Sequence, residues 1–466
     1  MSLRIALLAL ASVSETGTAS LTLQDVLTSV EVRFPPLVVA REKVEAAKGA
    51  RMSADGAFDL KVKGKGGYDP LGYYGGAVAD VALEQPTRLW GISVYGGYRY
   101  GDDFPIYAAK SLTGEAGELR LGVNIPLWQG GPIDEARLGV TLAELGVDVA
   151  GLERDLKGLE VSQKAAHTYW KWVAAGRKLE VDRGMLRLAE ARRGFVESRV
   201  ARGDLAALEL VDNDRLVADR QAQVVASEAA LARAALALSM FLRDEAGDPV
   251  VPAPERLPPD FPEAAPVPAE GLEVLLAQGL AVRPELARLE RVQAGLRAEL
   301  AFQENQRAPA LDLKVEAAKD LGDPTTYGPD PAFKTRGEAQ LGVSLAVTWP
   351  VEQRKARGKA AALEAKLRAL EAEQGFLRDG VRVQIREAHV ALEAARRRAE
   401  LVDRTYGLTQ ALEQAERRKL ELGQTNIFVV NLREEATAKA AKERVEALAA
   451  YHLARADLAV AAGDRP

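Results

Sequence analysis

The sequence contains no cysteine and only three histidines among its 466 residues. Disulfides, thiolate metal sites, a cysteine nucleophile and a lipid-modified N-terminal cysteine are therefore excluded. Aromatic residues make up only 6% of the chain, although hydrophobic residues reach 47%. Most of the hydrophobic residues are alanine, leucine and valine, and this composition is typical of long helices rather than of a bulky globular core.

Neither sign of charge is in clear excess, since 62 basic residues face 67 acidic ones. This near balance argues against a nucleic-acid partner, which would require a basic surplus. A membrane-spanning helix needs about 20 consecutive apolar residues. The longest internal apolar stretch, residues 229–242, is shorter and contains Arg233. The sequence therefore predicts no transmembrane helix.

The N-terminus has the pattern of a short secretory signal. Arg4 precedes an apolar run over residues 5–10, and small and polar residues follow as far as Ala19. Gly17 and Ala19 are the small residues that a signal peptidase site requires. We predict a signal peptide over residues 1–19, with a cytosolic N-terminal segment as the alternative.

Six short motifs occur in the same order in the two halves of the chain, which indicates an internal duplication. We predict a first repeat over residues 20–247 and a second over 269–466. The linker between them, residues 248–268, holds eight of the 22 prolines and is expected to run along the outside. The paired motifs are Pro36–Ala47 with Pro284–Gly295, Phe58–Val62 with Leu311–Val315, Leu121–Val123 with Leu341–Val343, Ala136–Arg137 with Ala356–Arg357, Val161–His167 with Val383–His389, and Gly203 with Gly423.

Each half is predicted to contain a first helix, strands and a long helical hairpin. The first helices cover residues 22–55 and 270–306, and the strand regions alternate apolar and polar residues. Residues 133–202 and 352–422 contain no proline and would extend about 105 Å as continuous helices. Gly203 and Gly423 are predicted to end them, and the returning helices cover 205–242 and 426–460.

The scarce aromatic residues are concentrated in and near the strands. Amphipathic rings collect in this way at membrane interfaces, although tyrosine and tryptophan also favour strands in general. The candidate interface residues are Trp90, Tyr95, Tyr98, Tyr100, Trp128 and Trp349.

The duplicated halves, the strands before each pair of long helices and the proline-rich connector resemble the outer-membrane factor (TolC-like) family. The resemblance implies a mainly α fold with β structure: a duplicated strand pair plus long helical hairpin, forming a trimeric α-barrel continuous with a transmembrane β-barrel. Three chains would contribute four strands each to a twelve-stranded barrel. The implied location is the outer membrane, with the helices extending into the periplasm.

The resemblance also implies a function and partners. The chain would be the passive exit channel of a tripartite efflux or type I secretion system. It would act as a homotrimer in outer-membrane lipid, with a periplasmic adaptor protein and an inner-membrane transporter, and without a cofactor. One departure affects the strand count. The strand region covers about 70 residues in the first half and about 40 in the second, so the first half has either an additional hairpin or longer strands.

In this family the helical turns form the closed periplasmic end, and acidic residues after the turn line the constriction. Glu209 and Asp212 are three residues apart and share a helix face; in a trimer they would form acidic rings that favour cations. Alternatively, they only favour the N-terminal turn of a helix electrostatically. The second repeat offers Asn426 and Asn431 at its turn. Tip salt bridges are predicted for Arg215 and Arg433.

No enzyme signature and no metal site is predicted. His167 and His389 occupy matching positions, but no second histidine follows at a ligand spacing, so packing between helices is the favoured interpretation. The acidic pair Glu434 and Glu435 is interpreted as part of a solvated helix face. A soluble periplasmic coiled-coil adaptor or scaffold is the alternative function. A hydrolase of cell-wall sugars would need a paired-carboxylate cleft, which the sequence does not place.

Overall fold

The computed structural model describes residues 19–71, 76–102, 113, 116–265, 271–322 and 339–466. The predicted signal peptide lies outside these residues except for Ala19. Eight α-helices and six strands occur in the described chain. The helices are α1 (Leu23–Arg33), α2 (Pro35–Asp55), α3 (Glu135–Ala201), α4 (Ala207–Ser239), α5 (Gly271–Val282), α6 (Pro284–Asn305), α7 (Arg354–Glu421) and α8 (Ile427–Ala461). The strands are β1 (Lys61–Asp69), β2 (Gly76–Pro86), β3 (Ser93–Asp102), β4 (Glu118–Pro126), β5 (Ala310–Asp320) and β6 (Gln340–Thr348).

The same order of elements occurs twice: two helices, strands, a very long helix and a returning helix. The bounds of the long helices α3 and α7 and of the returning helices α4 and α8 agree with the sequence-based bounds within three residues. The mainly helical fold with a strand region is therefore confirmed.

The first helix predicted for each half is in fact two helices, each pair separated in front of a proline. α2 begins at Pro35 and α6 begins at Pro284. Phe34 has an extended backbone with ψ of 120°, because the proline ring disfavours helical geometry in the residue before it. The proline itself is well placed at the first helical position, where no backbone N–H is needed.

Two compact units are present, and each is described by itself. The helical unit comprises Met1–Arg41, Glu153–Leu286 and Leu377–Pro466, and the sheet unit comprises Glu42–Leu152 and Ala287–Phe376. Among the described residues, none of the helices combines the length and the apolarity needed to cross a bilayer.

The sheet unit contains one antiparallel sheet in which the six strands lie in chain order. β4 and β5 join the two halves, with Val123 opposite Val315. The first half contributes four strands and the second contributes two. The expectation of two strands per half is therefore wrong for the first half, which has the additional hairpin. The cause is local: residues 76–102 alternate in polarity and pair strand to strand from Ala77 with Asp102 to Pro86 with Ser93.

The core of the helical unit is built around Trp172, which is fully buried. The Tyr169 hydroxyl donates to the backbone carbonyl of Leu21 at 2.8 Å, and burial raises the pKa of Tyr169 to about 12. The proline-rich linker is not confined to the outside, because Phe261 is buried and stacks on Trp170 at 5.8 Å between ring centroids. The buried core also includes Val26, Val30, Val161, Val173, Leu231, Leu238 and Val445.

His452 makes the stability of the helical unit depend on pH. Its ring stacks on Trp170 at 4.1 Å, and burial lowers its pKa from the usual 6.5 to about 4. The unfolded chain therefore binds a proton that the folded chain excludes. We expect the free energy of unfolding to fall below pH 6.5 by up to about 1.4 kcal/mol per pH unit until pH 4.

Thermal unfolding between pH 4 and 7, followed by circular dichroism, measures this slope. The matched variant is His452→Gln, which keeps a side-chain donor for the Pro262 carbonyl, the acceptor 3.1 Å from His452 Nε2. An equal slope in both proteins would contradict the assignment to His452.

Candidate functional sites in the helical turns and the sheet

The two helical hairpins turn through the same backbone motif. Gly203 has φ of +78° and Gly423 has φ of +71°, a left-handed conformation that glycine adopts without strain. The Gly203 N–H donates to the Val200 carbonyl at 2.9 Å, and the Asp204 N–H donates to the Arg199 carbonyl at 2.9 Å. The bonds around Gly423 repeat this pattern three and five residues back. These pairs of hydrogen bonds satisfy the last carbonyls of α3 and α7.

The candidate acidic ring residues lie directly after the first turn. Glu209 is in the first helical turn of α4, where the helix dipole favours a negative charge. Asp212 lies one turn further and pairs with Arg215 at 3.2 Å. Both carboxylates are exposed to solvent in the single chain, so neither is part of the buried core.

The two candidate asparagines of the second turn have defined structural partners. Asn426 is the N-cap of α8, and its side-chain oxygen accepts from the Val429 N–H at 3.1 Å. Asn431 Oδ1 accepts a hydrogen bond from the Arg192 guanidinium. Asn426 therefore starts a helix, and Asn431 connects the second hairpin to α3.

A buried ion-pair cluster lies near the turns, where the sequence pattern predicts a solvated helix face. Glu434 is only 4% exposed as a side chain, so its interpretation as part of a solvated face is wrong. Arg192 Nη2 donates to it at 2.5 Å, and Arg417 Nη2 donates to it at 3.0 Å. The signal in the sequence was its spacing, because Glu434 follows the buried Val430 by one helical turn.

This cluster is one step of a longer series of contacts, which we call the α3–α8 ladder. Asp182, one member of this ladder, is 3% exposed. Besides its lysine partner in α8, it accepts a hydrogen bond from the Ser227 hydroxyl at 2.5 Å. Successive partners have rising residue numbers in α3 and falling residue numbers in α8, as expected for two antiparallel helices. The ladder consists of His167 with Asp457 at 2.7 Å, Lys178 with Glu446 at 2.5 Å, Asp182 with Lys442 at 2.5 Å, and Arg192 with Glu434 at 2.5 Å.

The arginines singled out from the sequence do not join the two hairpins. Arg215 pairs with Asp212 and with Asp219, at 3.2 and 2.8 Å, and all three residues belong to α4. Arg433 has a buried Nε with no hydrogen-bond acceptor in the described part of the chain. Near the turns, the connection between the hairpins is instead made by Arg192 of α3, which contacts Asn431 and Glu434 of α8.

In the sheet unit, alternate residues give the sheet one apolar face. One row across all six strands contains Val62, Leu83, Gly96, Leu121, Ala317 and Leu341. Most of this face is open to solvent in the single chain: Val62 is 71% exposed, Leu121 is 62% exposed and Leu341 is 73% exposed. An apolar surface of this extent marks a site of contact with a membrane or another protein.

The opposite face is polar and carries nearly equal numbers of basic and acidic side chains. Glycines leave room for side chains to reach across strands on this face. The Tyr95 ring lies over Gly122, and its hydroxyl donates to the Glu316 carboxylate of β5. Arg120 reaches over Gly97 to Asp80 of β2. The charged residues are Lys61, Lys63, Lys65, Arg99, Arg120 and Lys314 with Asp69, Asp80, Glu84, Glu118, Asp312, Glu316 and Asp320.

The candidate interface aromatics separate into two groups. Trp90 lies between β2 and β3, Trp128 follows β4 and Trp349 follows β6, so all three lie at the same end of the sheet. Their exposed fractions are 45%, 56% and 52%. Tyr98 and Tyr100 lie on the apolar face, whereas Tyr95 lies on the polar face. The assignment of Tyr95 as an interface residue does not fit this orientation.

Solved structures of outer-membrane channels are similar to this chain over nearly its whole length. The outer-membrane channel OprN matches with a TM-score of 0.64 and 15% identity, over 95% of this chain and 91% of that one. The open state of the Neisseria gonorrhoeae MtrE outer membrane channel matches with a TM-score of 0.63 and 13% identity, over 95% and 89%. The outer membrane protein VceC from Vibrio cholerae matches with a TM-score of 0.60 and 14% identity, over 95% and 96%.

No protein-family model matches the chain, and no curated protein matches it by sequence. The similarity therefore lies in the three-dimensional arrangement, across sequences that differ at most positions. The chain has the fold of outer-membrane factor (TolC-like) channels, as its sequence pattern predicted.

Proposed function

We propose that this protein is the outer-membrane exit channel of a tripartite efflux or type I secretion system. Three copies would form a β-barrel in the outer membrane and an α-barrel in the periplasm. A periplasmic adaptor and an inner-membrane transporter would deliver the cargo, and passage through the channel would be passive. The observation that carries the proposal is the sheet, with one face apolar and exposed and the other face charged.

The chemistry of the sheet faces supports a position in lipid. A transmembrane strand alternates residues that face lipid with residues that face a polar interior. Val343, Leu345 and Val347 alternate in β6 with Gly342, Ser344 and Ala346. Most charged residues of β1 to β5 lie on the other face, and the exceptions, Asp102 and Lys319, lie near the strand ends away from the tryptophans. The tryptophans at one end of the sheet suit an aromatic girdle at the membrane interface. A soluble adaptor would need to cover this apolar face within its own β domain.

The helical turns are the proposed gate. Glu209 and Asp212 are exposed after the first turn, and equivalent residues of three copies would form two acidic rings. The α3–α8 ladder would hold the second hairpin against the first in the closed state. Opening would then require Arg192 of α3 to separate from both Asn431 and Glu434 of α8, because these contacts connect the two helices nearest the turn.

The proposal predicts a membrane protein with a cation-selective channel. We expect the protein to fractionate with outer membranes as a heat-sensitive trimer. In planar bilayers, Glu209→Gln with Asp212→Asn should reduce the preference for cations over anions, because the acidic rings lose their charge. Reversal potentials in a salt gradient measure this preference.

The matched control is Glu228→Gln, which removes an exposed charge from α4 away from the turn and should leave selectivity unchanged. Unchanged selectivity in the double variant would reject the acidic rings. Recovery of the protein as a soluble monomer without detergent would overturn the channel function itself and favour the soluble scaffold.

A further inference from the structure

The outer edges of the sheet are unpaired in the part of the chain that the structure describes. β1 and β6 each pair with one neighbouring strand only. Both strands are nine residues long, and every residue in them is exposed. Each edge therefore presents a row of backbone donors and acceptors that another strand can bind.

β6 lacks the features by which proteins normally protect an edge strand. Its sequence, QLGVSLAVT, contains no charged residue and no proline, whereas protected edges carry such residues, short strands or bulges. β1 also lacks proline, and its three lysines all lie on the charged face. An unprotected edge of this kind is a template for pairing with another strand.

The geometry of the two edges fits a second copy of this chain. Consecutive strands are antiparallel throughout the six-stranded sheet, so β1 and β6 run in opposite directions. β6 of one copy beside β1 of the next would continue the antiparallel pattern. The apolar and charged faces would continue as well, because side chains of paired residues lie on the same face.

We propose that three copies close one ring through contacts between β6 and β1, in which each copy contributes all six strands. The proposal rests on the trimeric channel proposed above. It replaces the twelve-stranded barrel implied by the resemblance with one of eighteen strands. Barrels of about 16–18 strands leave an open aqueous channel. The wide interior would be lined by the nearly balanced charges of the polar face, so this end of the pore would admit bulky polar cargo of either sign.

The absence of native cysteine allows a direct test, since an engineered pair reports only the chosen contact. Val62→Cys in β1 is combined in turn with Leu341→Cys, Val343→Cys, Leu345→Cys and Val347→Cys in β6. All of these residues lie on the apolar face, and a disulfide requires neighbouring Cβ atoms within about 4.5 Å. After oxidation in outer membranes, we expect at least one pair to convert most of the chain to linked dimers and trimers.

The competing arrangement uses only the four strands β3 to β6 from each copy. It would place β6 of one copy beside β3 of the next, so that Val94→Cys replaces Val62→Cys as the partner that forms the disulfide. In the six-strand ring Val94 lies two strands from Val62, about 10 Å away, and does not react. Linking through Val94, a disulfide within one chain, products larger than three chains, or no linking in membrane-inserted protein would each overturn the proposal.

Lys63→Cys is the matched control, because it lies next to Val62 but on the opposite face. It should form no disulfide with the β6 positions, and efficient linking would contradict the alignment of faces. Each single-cysteine variant is also checked for membrane fractionation and for the heat-sensitive trimer. Fractionation tests the channel function and the disulfide tests the strand ring, so the failure of one is distinguishable from the failure of the other.

Discussion

Glu434→Ala is expected to destabilise the helical turns by about 3–5 kcal/mol, which is the usual cost of breaking a buried ion pair by removing one partner. Arg192, at 11% side-chain exposure, would keep its charge, with Asn431 as its remaining partner among the described residues. Arg417 would suffer less, because it also pairs with Glu413 at 2.6 Å. Hydrogen exchange measured by mass spectrometry should show faster exchange in α8 and in α3 near Arg192.

Two further variants separate the charge from the packing. Glu435→Ala removes the same side chain from the next position, which is exposed, and should leave exchange unchanged. Arg192→Met with Glu434→Leu removes both charges together and should recover much of the lost stability, as apolar replacements of buried ion pairs often do. Equal effects of Glu434→Ala and Glu435→Ala would contradict the role of the cluster.

The same variants connect stability to the proposed gate. If the turns form the closed end of the pore, Glu434→Ala should also raise the conductance of the channel in planar bilayers, because α8 is released from α3. Glu435→Ala should not raise it. Faster exchange without a change in conductance would retain the structural role of Glu434 and reject its role in the gate.

The helical hairpins were predictable from the sequence because their signals are local. Absence of proline over residues 133–202 and 352–422 permits long helices, and Gly203 and Gly423 supply the left-handed residue that ends them. Proline also explains the error in the first helices. The chain before Pro35 cannot stay helical, so the break between α1 and α2 could have been placed from the sequence.

The strand regions were predicted from alternation, which is strong in some strands and weak in others. β4 and β6 have several apolar residues of one parity, and their bounds follow from that pattern. β1 has few large side chains on its apolar face, because Gly64 and Gly66 separate Val62 from Tyr68. Alternation therefore indicated only the beginning of this strand, around Val62. The face on which each tyrosine lies follows from the register of the sheet. This register places Tyr95 on the charged face, opposite Gly122.

The α3–α8 ladder could not be derived from the sequence. Its partners are more than 200 residues apart, and their pairing depends on how α8 packs against α3. The sequence did indicate that Glu434 needs a partner. A carboxylate one turn from the buried Val430 must have a partner, because an unpaired buried charge is costly.

Trp172→Ala is expected to destabilise the helical unit by about 3–5 kcal/mol, as truncation of a fully buried tryptophan leaves a large cavity. Trp172 is 0% exposed, lies among the core residues of α1, α3 and α4, and contacts Tyr169 at 6.1 Å between ring centroids. The neighbouring helices are rich in alanine, and alanine side chains are too short to move into this cavity and fill it. Thermal unfolding of the detergent-solubilised protein, followed by circular dichroism, measures the loss.

Trp172→Phe distinguishes the effect of the cavity on stability from the effect of the unpaired indole N–H. The Trp172 Nε1 is buried without an acceptor in the described chain, so the wild type already bears the cost of one unpaired donor. Phenylalanine removes that donor and fills most of the volume, so it should cost far less than alanine. Phe195→Ala, on the same helix at 51% exposure, should change stability least. A loss for Phe195→Ala as large as that for Trp172→Ala would show that packing around Trp172 does not hold this unit together.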